Sequence, residues 1–402
     1  MKELTLVNFE EELNKLVDIS IQRAIQDVFG STTITSKRVI PSITNYVYEI
    51  EVNDKRYIAK YNFLGLSKVS LLRSFPLLDI SELSQKQQEY VASPKNTLFL
   101  EMKRIHFLKQ ILFPVPTTVD YSRGVLFTEK VRGETLQNAF LNESICLKGV
   151  YQKIYSELIS LWLKIHSSNF PTKILSDFPS DNCNADIVKN FNNKSLSELS
   201  SKLVIDSINV TGKEKLRDLI PKISALINIQ IKDMSSSQEL IVYGDVKPEN
   251  IILADQGICF IDPELHLGDV AQDLARLIGR SSLSGIYSCI NSTRKKEIYY
   301  ELIELILIIK KTPPSSDQSL ESRVIIYCVM DLLLILNSYS KINPSTLSEY
   351  PYNVSENYLH TTRIVEKLTH VFDFDKNVQV IHELKEFVEL FFKNDEVKNE
   401  HR

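Results

Sequence analysis

Glycine is scarce in this sequence, and its distribution excludes the common glycine-rich binding loops. The 402 residues include 11 glycines, and the segment 31–64 contains none. The G-x-G-x-x-G and P-loop patterns, which cradle phosphate groups with backbone N–H donors, are therefore absent. Any phosphate contact near the first strands has to use a glycine-free loop.

Cysteine pairs and an excess of positive charge are also missing. The five cysteines form no C-x-x-C pair, which argues against a zinc site or a disulfide framework and predicts reduced thiols in the core. The formal net charge of −4 excludes a general attraction to nucleic acid or to an anionic membrane. The short basic run Arg294-Lys295-Lys296 is interpreted as a solvated helix face.

No long, uninterrupted apolar run is present. Residues 324–336 are strongly apolar but short, and Asp331 interrupts them, so a buried helix is favoured over a membrane span. The first twelve residues are acidic and lack the apolar centre of a signal peptide. With 43% hydrophobic and 24% charged residues, the composition is typical of a soluble globular protein, and we expect it in the cytoplasm.

The N-terminal third predicts a helix followed by an antiparallel sheet. Residues 1–28 carry apolar residues at helical spacing, and Gly30 closes that segment. Period-two alternation and turn residues predict five strands: Thr33–Ile40, Tyr46–Val52, Arg56–Tyr61, Thr117–Tyr121 and Val125–Glu129. An irregular insertion at 64–97 and a helix from about Leu98 to Leu112 separate the third strand from the fourth.

From Gly133 onward the pattern is mainly helical. Apolar spacing predicts helices at 146–168, 213–233, 293–311, 320–340, 356–372 and 378–394. The fold class is therefore predicted as α+β. Residues 1–132 form a five-stranded part with a helical extension and the 64–97 insertion, and residues 133–402 form a helical part.

The most informative stretch is Tyr243-Gly-Asp-Val-Lys-Pro-Glu-Asn-Ile-Ile-Leu253, followed by Phe260-Ile-Asp-Pro-Glu264. Its two short apolar runs flank Asp255-Gln-Gly257 and predict a tight hairpin, which would bring Asn250 and Asp262 close together. Phosphoryl transfer requires one carboxylate that orients a hydroxyl, and an amide and a second carboxylate that hold Mg²⁺. The stretch therefore predicts a metal and phosphate site.

These motifs, in this order, resemble the aminoglycoside phosphotransferase family of the protein-kinase-like superfamily. The similarity includes Leu126–Leu136, which looks like the interlobe hinge, and Leu163-Lys-Ile-His-Ser167, which ends a helix. It also includes Gly268-Asp-Val-Ala-Gln-Asp-Leu-Ala275. The resemblance covers about residues 33–280 and implies a bilobal kinase fold that uses ATP and Mg²⁺.

The resemblance also implies roles for individual residues. Asp245 matches the catalytic-loop aspartate, and Asn250 and Asp262 match the Mg²⁺ ligands. Lys60, which ends Tyr57-Ile-Ala-Lys60, matches the lysine that contacts the α- and β-phosphates, with Glu101 as its partner. Asp273 is expected to brace the catalytic loop.

The remaining nucleotide contacts are assigned to two loops. In the glycine-free loop 41–45, backbone N–H groups and the hydroxyls of Ser42 and Thr44 would face the phosphates. Backbone groups from Glu129 to Val131 would bind the adenine edge, as the resemblance implies. The preference for ATP over GTP stays open.

Two departures from the family pattern bear on the acceptor. Tyr243 stands where the family usually has His, and Lys247 makes the loop similar to that of protein Ser/Thr kinases. Lys247 is expected to neutralise the γ-phosphate as it moves. Asp269, however, follows Asp262 by only seven positions, too few for a protein-kinase activation segment. A hydroxyl on a small antibiotic or metabolite is therefore favoured over a peptide.

Two alternatives stay open: a Ser/Thr kinase acting on a peptide or protein, and an inactive nucleotide-binding module. The presence of Lys60, Asp245, Asn250 and Asp262 together argues against the inactive module. Residues 170–210 and the C-terminal helices mix acidic and basic residues and predict no pocket for a polycation. The sequence determines neither the acceptor nor the oligomeric state.

Overall fold

The computed structural model divides the chain into two compact units. Unit 1 comprises Met1–Arg132, Cys259–Pro263 and Pro344–Pro351, and unit 2 comprises Gly133–Ile258, Glu264–Asn343 and Tyr352–Arg402. The described residues are 6–30, 34–42, 44–67, 71, 80–167, 240–311, 319–339, 352–373, 378–379, 381 and 383–393. The predicted helix at 213–233 lies outside them.

Unit 1 contains a five-stranded antiparallel sheet with the spatial order β1-β2-β3-β5-β4. The strands are β1 (Ile34–Ile40), β2 (Tyr46–Val52), β3 (Lys55–Tyr61), β4 (Thr118–Ser122) and β5 (Val125–Glu129). Buried and half-buried residues alternate along β2, as one face of a sheet packed on a core requires. The predicted sheet is confirmed, and each strand boundary differs by one residue or less.

Helix α1 (Leu6–Phe29) packs against this sheet. Its fully or nearly buried side chains recur at helical spacing: Phe9, Leu13, Val17, Ile21, Ala24 and Ile25. A stripe of this kind faces a core, and burying each large apolar side chain stabilises the fold by about 1.5–3 kcal/mol. Ile19, part of the same apolar pattern in the sequence, lies off the stripe and is 44% exposed.

The 64–97 insertion is more regular than the sequence indicated. It contains helix α2 (Ile80–Val91), whose Leu83 and Gln87 are buried. Gln87 accepts a hydrogen bond from Leu64 N–H at 2.8 Å and donates one to Asn62 O at 2.8 Å. The expectation of an irregular segment was therefore wrong for 80–91, because a buried amide ties the helix to the end of the sheet.

Helix α3 (Thr97–Gln110) follows the insertion and begins at the cap residue Asn96. The Asn96 side chain accepts hydrogen bonds from Leu98 and Phe99 N–H, which satisfies two otherwise unpaired donors of the first turn. Leu98, Glu101, Ile105 and Leu108 are buried on one stripe. A carboxylate on a buried stripe needs a cationic partner, which distinguishes Glu101 from a surface glutamate.

Unit 2 is mainly helical and also contains short strands. Its helices are α4 (Leu136–Ala139), α5 (Val150–Ser167), α6 (Val270–Ser282), α7 (Ser292–Lys311), α8 (Ser319–Tyr339), α9 (Tyr352–Leu359), α10 (Thr361–Thr369) and α11 (Leu384–Phe392). The strands are β6 (Gly133–Thr135), β7 (Leu240–Val242), β8 (Ile251–Ala254), β9 (Gly257–Phe260), β10 (His266–Gly268), β11 (Phe372–Asp373) and β12 (Val378–Gln379). Strand β9 begins in unit 2 and continues into unit 1.

The strands on either side of the loop 243–250 each pair with another strand in the antiparallel direction. Strand β6 pairs with β8, which directly follows Asn250, and β7, which precedes Tyr243, pairs with β10. β9 is the neighbour of β8 in the sheet, as the predicted hairpin requires. The loop 243–250 is thus anchored by a paired strand at each end.

Helices α6 and α8 pack together and are joined by two buried ion pairs. Arg323 Nε lies 2.7 Å from Asp269 Oδ2, and Arg280 binds both oxygens of Asp331, at 2.5 and 3.0 Å. Gly279 permits the close approach, because a Cβ there would lie 3.3 Å from Cys328 Sγ. Asp331, which interrupts the apolar run of α8, therefore has a structural partner.

The predicted C-terminal helices needed two corrections. The single helix expected at 356–372 is divided into α9 and α10 at His360, where the Thr361 hydroxyl donates to Asn357 O at 3.1 Å. The helix expected at 378–394 begins only at Leu384, because Val378 and Gln379 pair with Asp373 and Phe372. Each of these strands has only two residues, which is too short to give a helical or period-two signal.

The structure also tests the predictions about membranes and cysteines. Within the described ranges, no helix combines the length and hydropathy that a membrane span needs. Cys259 and Cys328 are buried free thiols, as expected. Cys146 and Cys289 are free but exposed, so the prediction of core thiols was wrong for these two.

Candidate functional site

A buried triad of charged side chains lies in unit 1. Lys60 on β3 places its Nζ 2.8 Å from Glu101 Oε1 on α3, and Lys60 also contacts Asp262 Oδ1. Lys60 is only 7% exposed and Glu101 only 8%. Strand pairing sets the position of Lys60, which lies opposite Val47 of β2 and Leu126 of β5.

Within this triad, burial disfavours the charged forms of the side chains, and the attraction between opposite charges favours them. Burial favours the neutral amine, but the carboxylates of Asp262 and Glu101 outweigh it and raise the pKa of Lys60 above its usual value. Burial also raises the pKa of Glu101, against the attraction of Lys60. A buried charge is retained only when it is paired, so each member depends on the others.

Asp262 has an unusual backbone conformation. Its φ is +58°, in the left-handed region that non-glycine residues seldom adopt. Such a conformation typically costs about 1–3 kcal/mol, and the surrounding structure has to impose it. Two contacts hold the residues beside it: Phe260 N–H donates to Pro114 O at 2.8 Å, and Arg104 donates to Pro263 O at 3.3 Å.

The second cluster lies in unit 2, on the loop of residues 245–250, which is called the catalytic loop after the role that the sequence predicts for it. The Asp245 carboxylate receives the Arg276 guanidinium at 2.8 Å, the Lys247 ammonium at 2.7 Å and the Asn250 amide nitrogen at 2.6 Å. The Asn250 amide nitrogen also lies 3.2 Å from Asp245 O. These donors fix the orientation of Asp245.

The pKa of Asp245 follows from its cationic neighbours. Burial alone would raise that pKa, but Lys247 and Arg276 outweigh it and lower the pKa of Asp245 to about 2. For Lys247, burial lowers the pKa, and the carboxylates of Asp245 and Glu249 more than compensate, so its pKa is raised. Asp245 is thus a carboxylate at neutral pH and a weak base.

The turn before Asp245 requires glycine at position 244. Gly244 has φ of +90°, and a Cβ at this position would lie 2.4 Å from Glu264 O. Asp273, on the first turn of α6, accepts hydrogen bonds at 2.8 Å from both Tyr243 N–H and Gly244 N–H. The expectation that Asp273 braces this loop is met by these two bonds.

Tyr243 is fully buried, and its carbonyl accepts a hydrogen bond from Glu264 N–H at 3.0 Å. This position therefore supports the loop from within the core of unit 2. With Tyr at the position where the family usually has His, the backbone N–H still donates to Asp273.

Arg276 is the residue that the sequence interpretation missed. It lies one helical turn after Asp273 and also contacts Gly244 O. Its pKa is raised, because Asp245 and Glu264 outweigh the effect of burial. The spacing of Asp273 and Arg276 was the signal: three residues apart, they lie on one face of α6.

The glycine-free loop is organised by Ser42. Its Oγ accepts from Thr44 N–H and from Asn45 N–H, each at 3.3 Å, and lies 3.3 Å from the Thr44 hydroxyl. Asn45 Oδ1 accepts from Asn62 at 3.2 Å, which ties the loop to the end of β3. The hydroxyl of Ser42 thus holds the turn of this glycine-free loop. The phosphate contacts of Ser42 and Thr44 stay a prediction.

The predicted adenine-binding segment continues from β5. Glu129 N–H donates to Thr117 O at 2.9 Å, and Lys130 N–H donates to Arg56 O at 3.0 Å. The backbone N–H groups of residues 129 and 130 are therefore occupied by hydrogen bonds within the protein. The carbonyl of Glu129 and the N–H of Val131 are the groups that we expect to meet a nucleotide base.

The predicted donor set for a metal consists of Asn250 and Asp262. The Asn250 amide nitrogen is used by Asp245, which leaves the amide oxygen as a ligand. Over the described stretches, no cluster of three or more His, Cys, Asp or Glu has the geometry of a metal site. Mg²⁺ in kinases needs only one or two protein oxygens besides phosphates and water, so the donors fit it. Asn250 lies in unit 2 and Asp262 in unit 1, so the closeness of the two side chains stays a prediction.

Comparison with known proteins identifies the family. Residues 38–286 match the model described as the phosphotransferase enzyme family, which is more than half of the chain. The chain therefore belongs to this family, and the resemblance to aminoglycoside phosphotransferases is confirmed. As a member of this family, it is a phosphotransferase. No curated protein sequence matches the chain significantly.

Solved structures show the same fold at low sequence identity. Amicoumacin kinase hAmiN, solved with AMP-PNP, Ca²⁺ and Ami, is 12% identical, with 90% of this chain and 99% of that chain covered and a TM-score of 0.54. Choline kinase LicA from Streptococcus pneumoniae is 13% identical, with 87% and 99% covered and a TM-score of 0.50. The predicted α+β protein-kinase-like fold is confirmed.

Proposed function

We propose that this protein transfers the γ-phosphate of Mg·ATP to a hydroxyl group of a small molecule. The observation that carries the proposal is Asp245, a carboxylate held by Arg276, Lys247 and Asn250 with a pKa of about 2. Such a group orients a hydroxyl through a hydrogen bond. It is too weak a base to remove the proton before the new bond forms.

The transfer step follows from that weak basicity. The acceptor oxygen forms a bond to the γ-phosphorus, the bond to the bridging oxygen breaks, and ADP leaves with the electron pair. The hydroxyl proton passes to Asp245 late, because a loose transition state develops little positive charge on the attacking oxygen. Lys247, which lies 2.7 Å from Asp245, supplies positive charge for the moving phosphoryl group.

The second half of the proposal is that the triad of Lys60, Glu101 and Asp262 binds the nucleotide. Lys60 keeps its charge in a buried position and is assigned to the α- and β-phosphates, with Glu101 holding the amine in place. Asn250 and Asp262 are assigned to Mg²⁺, which neutralises phosphate charge when bound. Ser42, Thr44, Glu129 and Val131 are assigned to the rest of the nucleotide.

The segment after Asp262 supports a small acceptor. Asp269 caps α6 by accepting from Ala271 N–H at 3.0 Å and is fixed by Arg323. Only six residues separate Asp262 from this anchor, and three of them form β10. A protein-kinase activation segment, which positions a peptide, does not fit in that length. The two structural neighbours are named as kinases of amicoumacin and choline, which also supports a small molecule.

A peptide acceptor is the second candidate. Lys247 favours it, because this residue makes the loop similar to that of protein Ser/Thr kinases and its ammonium contacts Asp245. The two functions differ in the acceptor alone. The test is therefore a screen for ATP-dependent phosphorylation over aminoglycosides, other antibiotics, amino alcohols, sugars and Ser/Thr peptides.

The screen is paired with Asp245→Asn, which keeps the shape of the side chain. We expect turnover of a small molecule by the wild type, a loss of about 10²–10⁴-fold in the variant, and unchanged nucleotide binding. Phosphorylation of peptides alone would favour the second candidate. ATP binding without turnover of any compound would indicate an inactive module, and equal turnover by Asp245→Asn would refute the mechanism.

A further inference from the structure

A cavity of about 330 Å³ lies in unit 2, between the start of α7 and the end of α11. Cavities that bind small molecules begin at about this size. It shares no lining residue with the catalytic loop or with α6. Most of its lining comes from ammonium groups and aromatic rings: Lys295, Lys296, Tyr299, Glu389, Phe392 and Lys393.

The basic run Arg294-Lys295-Lys296 does not form a simple solvated helix face. Arg294 is only 2% exposed, and its Nη2 donates to Ile145 O at 2.9 Å and contacts Asn142 O. The sequence interpretation was therefore wrong for Arg294, because backbone carbonyls of a neighbouring segment pair with its guanidinium. These bonds fix the first turn of α7 and hold the backbone of the two lysines at the cavity.

Lys295 and Lys296 carry positive charge without a counter-ion. In the part of the chain that the structure describes, neither ammonium has a carboxylate within 4.0 Å. Burial lowers the pKa of Lys295, and Arg363 on α10 acts in the same direction. Cys289 and Glu356 oppose this shift without cancelling it. A half-buried cation of this kind is stabilised when an anion binds beside it.

The acidic side chain of the cavity, Glu389, is already neutralised. Lys393 Nζ lies 3.0 Å from Glu389 Oε2, and Lys385 Nζ lies 3.8 Å from Oε1. The Tyr299 hydroxyl donates to the same Oε1 at 3.3 Å. The charge of Glu389 is therefore balanced by its own partners on and beside α11. The two lysines of α7 keep the cavity positive.

The first turn of α7 adds to this positive field. Asn291 Oδ1 accepts a hydrogen bond from Arg294 N–H at 2.8 Å and so caps the helix. Among the described residues, the N–H groups of Ser292 and Thr293 meet no acceptor, and Ser292 lines the cavity. Free N–H groups and the dipole of a 20-residue helix attract an anion to its N-terminus.

Two aromatic rings form the apolar part of the cavity. The ring centroids of Tyr299 and Phe392 are 5.5 Å apart, and the ring planes are tilted by 52°. An inorganic anion would leave this surface in contact with water. A ligand that carries a ring next to its anionic group would bury the surface, which favours binding.

We propose that this cavity binds a small aromatic phosphate monoester, with the phosphate on Lys295 and Lys296 at the start of α7 and the ring on Tyr299 and Phe392. A dianionic phosphate satisfies two ammonium groups, whereas a carboxylate carries a single charge. The site is additional to the catalytic loop, and the inference does not depend on the proposed function.

The probes are phenyl phosphate, inorganic phosphate, benzoate and phenol, and their dissociation constants are measured by isothermal titration calorimetry with the full chain. The wild type is expected to bind phenyl phosphate about tenfold or more tightly than each of the others, because that probe alone combines a dianion with a ring. Its affinity should fall about tenfold when the ionic strength rises tenfold, because salt screens the ammonium groups.

The double variant Lys295→Gln, Lys296→Gln removes both charges and keeps most of the side-chain length. We expect its affinity for phenyl phosphate to fall about tenfold or more. Phe392→Leu should reduce the preference for phenyl phosphate over inorganic phosphate by about threefold. The matched control is Lys148→Gln, Lys153→Gln, which removes two exposed lysines outside the cavity and should bind like the wild type.

The results decide between binding in this cavity and binding elsewhere. No detectable binding of phenyl phosphate, or an affinity equal to that of inorganic phosphate, would overturn the inference. The same holds for an affinity that does not change with salt, which requires no variant to measure. Equal losses in the two double variants, or no loss in either, would show that the ligand does not use Lys295 and Lys296.

Discussion

Arg276 Nη1 lies 2.8 Å from Asp245 Oδ1, across 31 positions of the sequence. The same guanidinium contacts the carbonyl of Gly244, the residue before Asp245. Arg276 thus fixes both the side chain and the backbone at the start of the catalytic loop. Since Arg276 lies on the same helix face as Asp273, α6 controls this loop through one acidic and one basic residue.

Replacing Arg276 with Gln should reduce kcat by about 10–1,000-fold, because one of the charged groups that orient Asp245 is lost. The pKa of Asp245, now about 2, should rise. The acid limb of the pH–rate profile is therefore expected to move to higher pH. Arg38→Gln, at an exposed position on β1, serves as the control. An unchanged acid limb would show that Arg276 does not act through Asp245.

The lowered pKa of Asp245 also predicts how stability depends on pH. In the unfolded chain this group has a pKa near 3.8, whereas in the folded chain it is about 2. The folded state therefore binds the proton less readily, and the stabilisation is present above pH 4 and lost as the pH falls toward 2. The contribution is about 2 kcal/mol.

That contribution can be measured by urea denaturation between pH 5 and pH 2. Asp245→Asn cannot ionise at this position, so its free energy of unfolding should fall less over this range than that of the wild type. Equal slopes for the two proteins would mean that Asp245 does not contribute to acid denaturation.

Substitution of Lys60 by Met should destabilise unit 1 as well as impair catalysis. The change leaves Glu101 buried without its cation, which typically costs about 3–5 kcal/mol. The free energy of unfolding and the KM for ATP report the two effects separately. In the double variant Lys60→Met, Glu101→Leu, most of the stability should return while the KM for ATP stays high. A double variant as unstable as the single one would contradict the pairing.

The pair Arg280–Asp331 should stabilise the packing of α6 on α8. Asp331→Asn breaks a two-pronged ion pair whose side chains are 17% and 9% exposed. We expect a loss of about 2–4 kcal/mol in the free energy of unfolding, somewhat below the cost of a fully buried pair. A double-mutant cycle with Arg280→Met isolates the interaction. A coupling energy near zero would show that the two helices pack without it.

Much of the fold follows from local patterns in the sequence. Period-two alternation located β2, because alternate residues of a strand face one core, and the turn after it located β3, which carries Lys60. Helical spacing located α3, and the family resemblance assigned Glu101 on it as the partner of Lys60. The family resemblance then connected Asp245, Asn250 and Asp262 with one reaction.

The contacts that orient those residues were decided by tertiary structure. Lys60 and Glu101 are 41 positions apart, Arg276 and Asp245 are 31 apart, and Lys60 and Asp262 are 202 apart. Local periodicity predicts which face of an element is buried but not which element it meets. The packing of helix α2 and the partner of Asp331 both depend on such distant contacts.

The sequence by itself therefore determined the strands of unit 1, most of the helices and the type of chemistry, because each depends on residue type and spacing within a short segment. Only the folded chain brought Arg276 to Asp245. That contact joins elements far apart in sequence, and it lowers the pKa of the carboxylate to which we assign the acceptor hydroxyl.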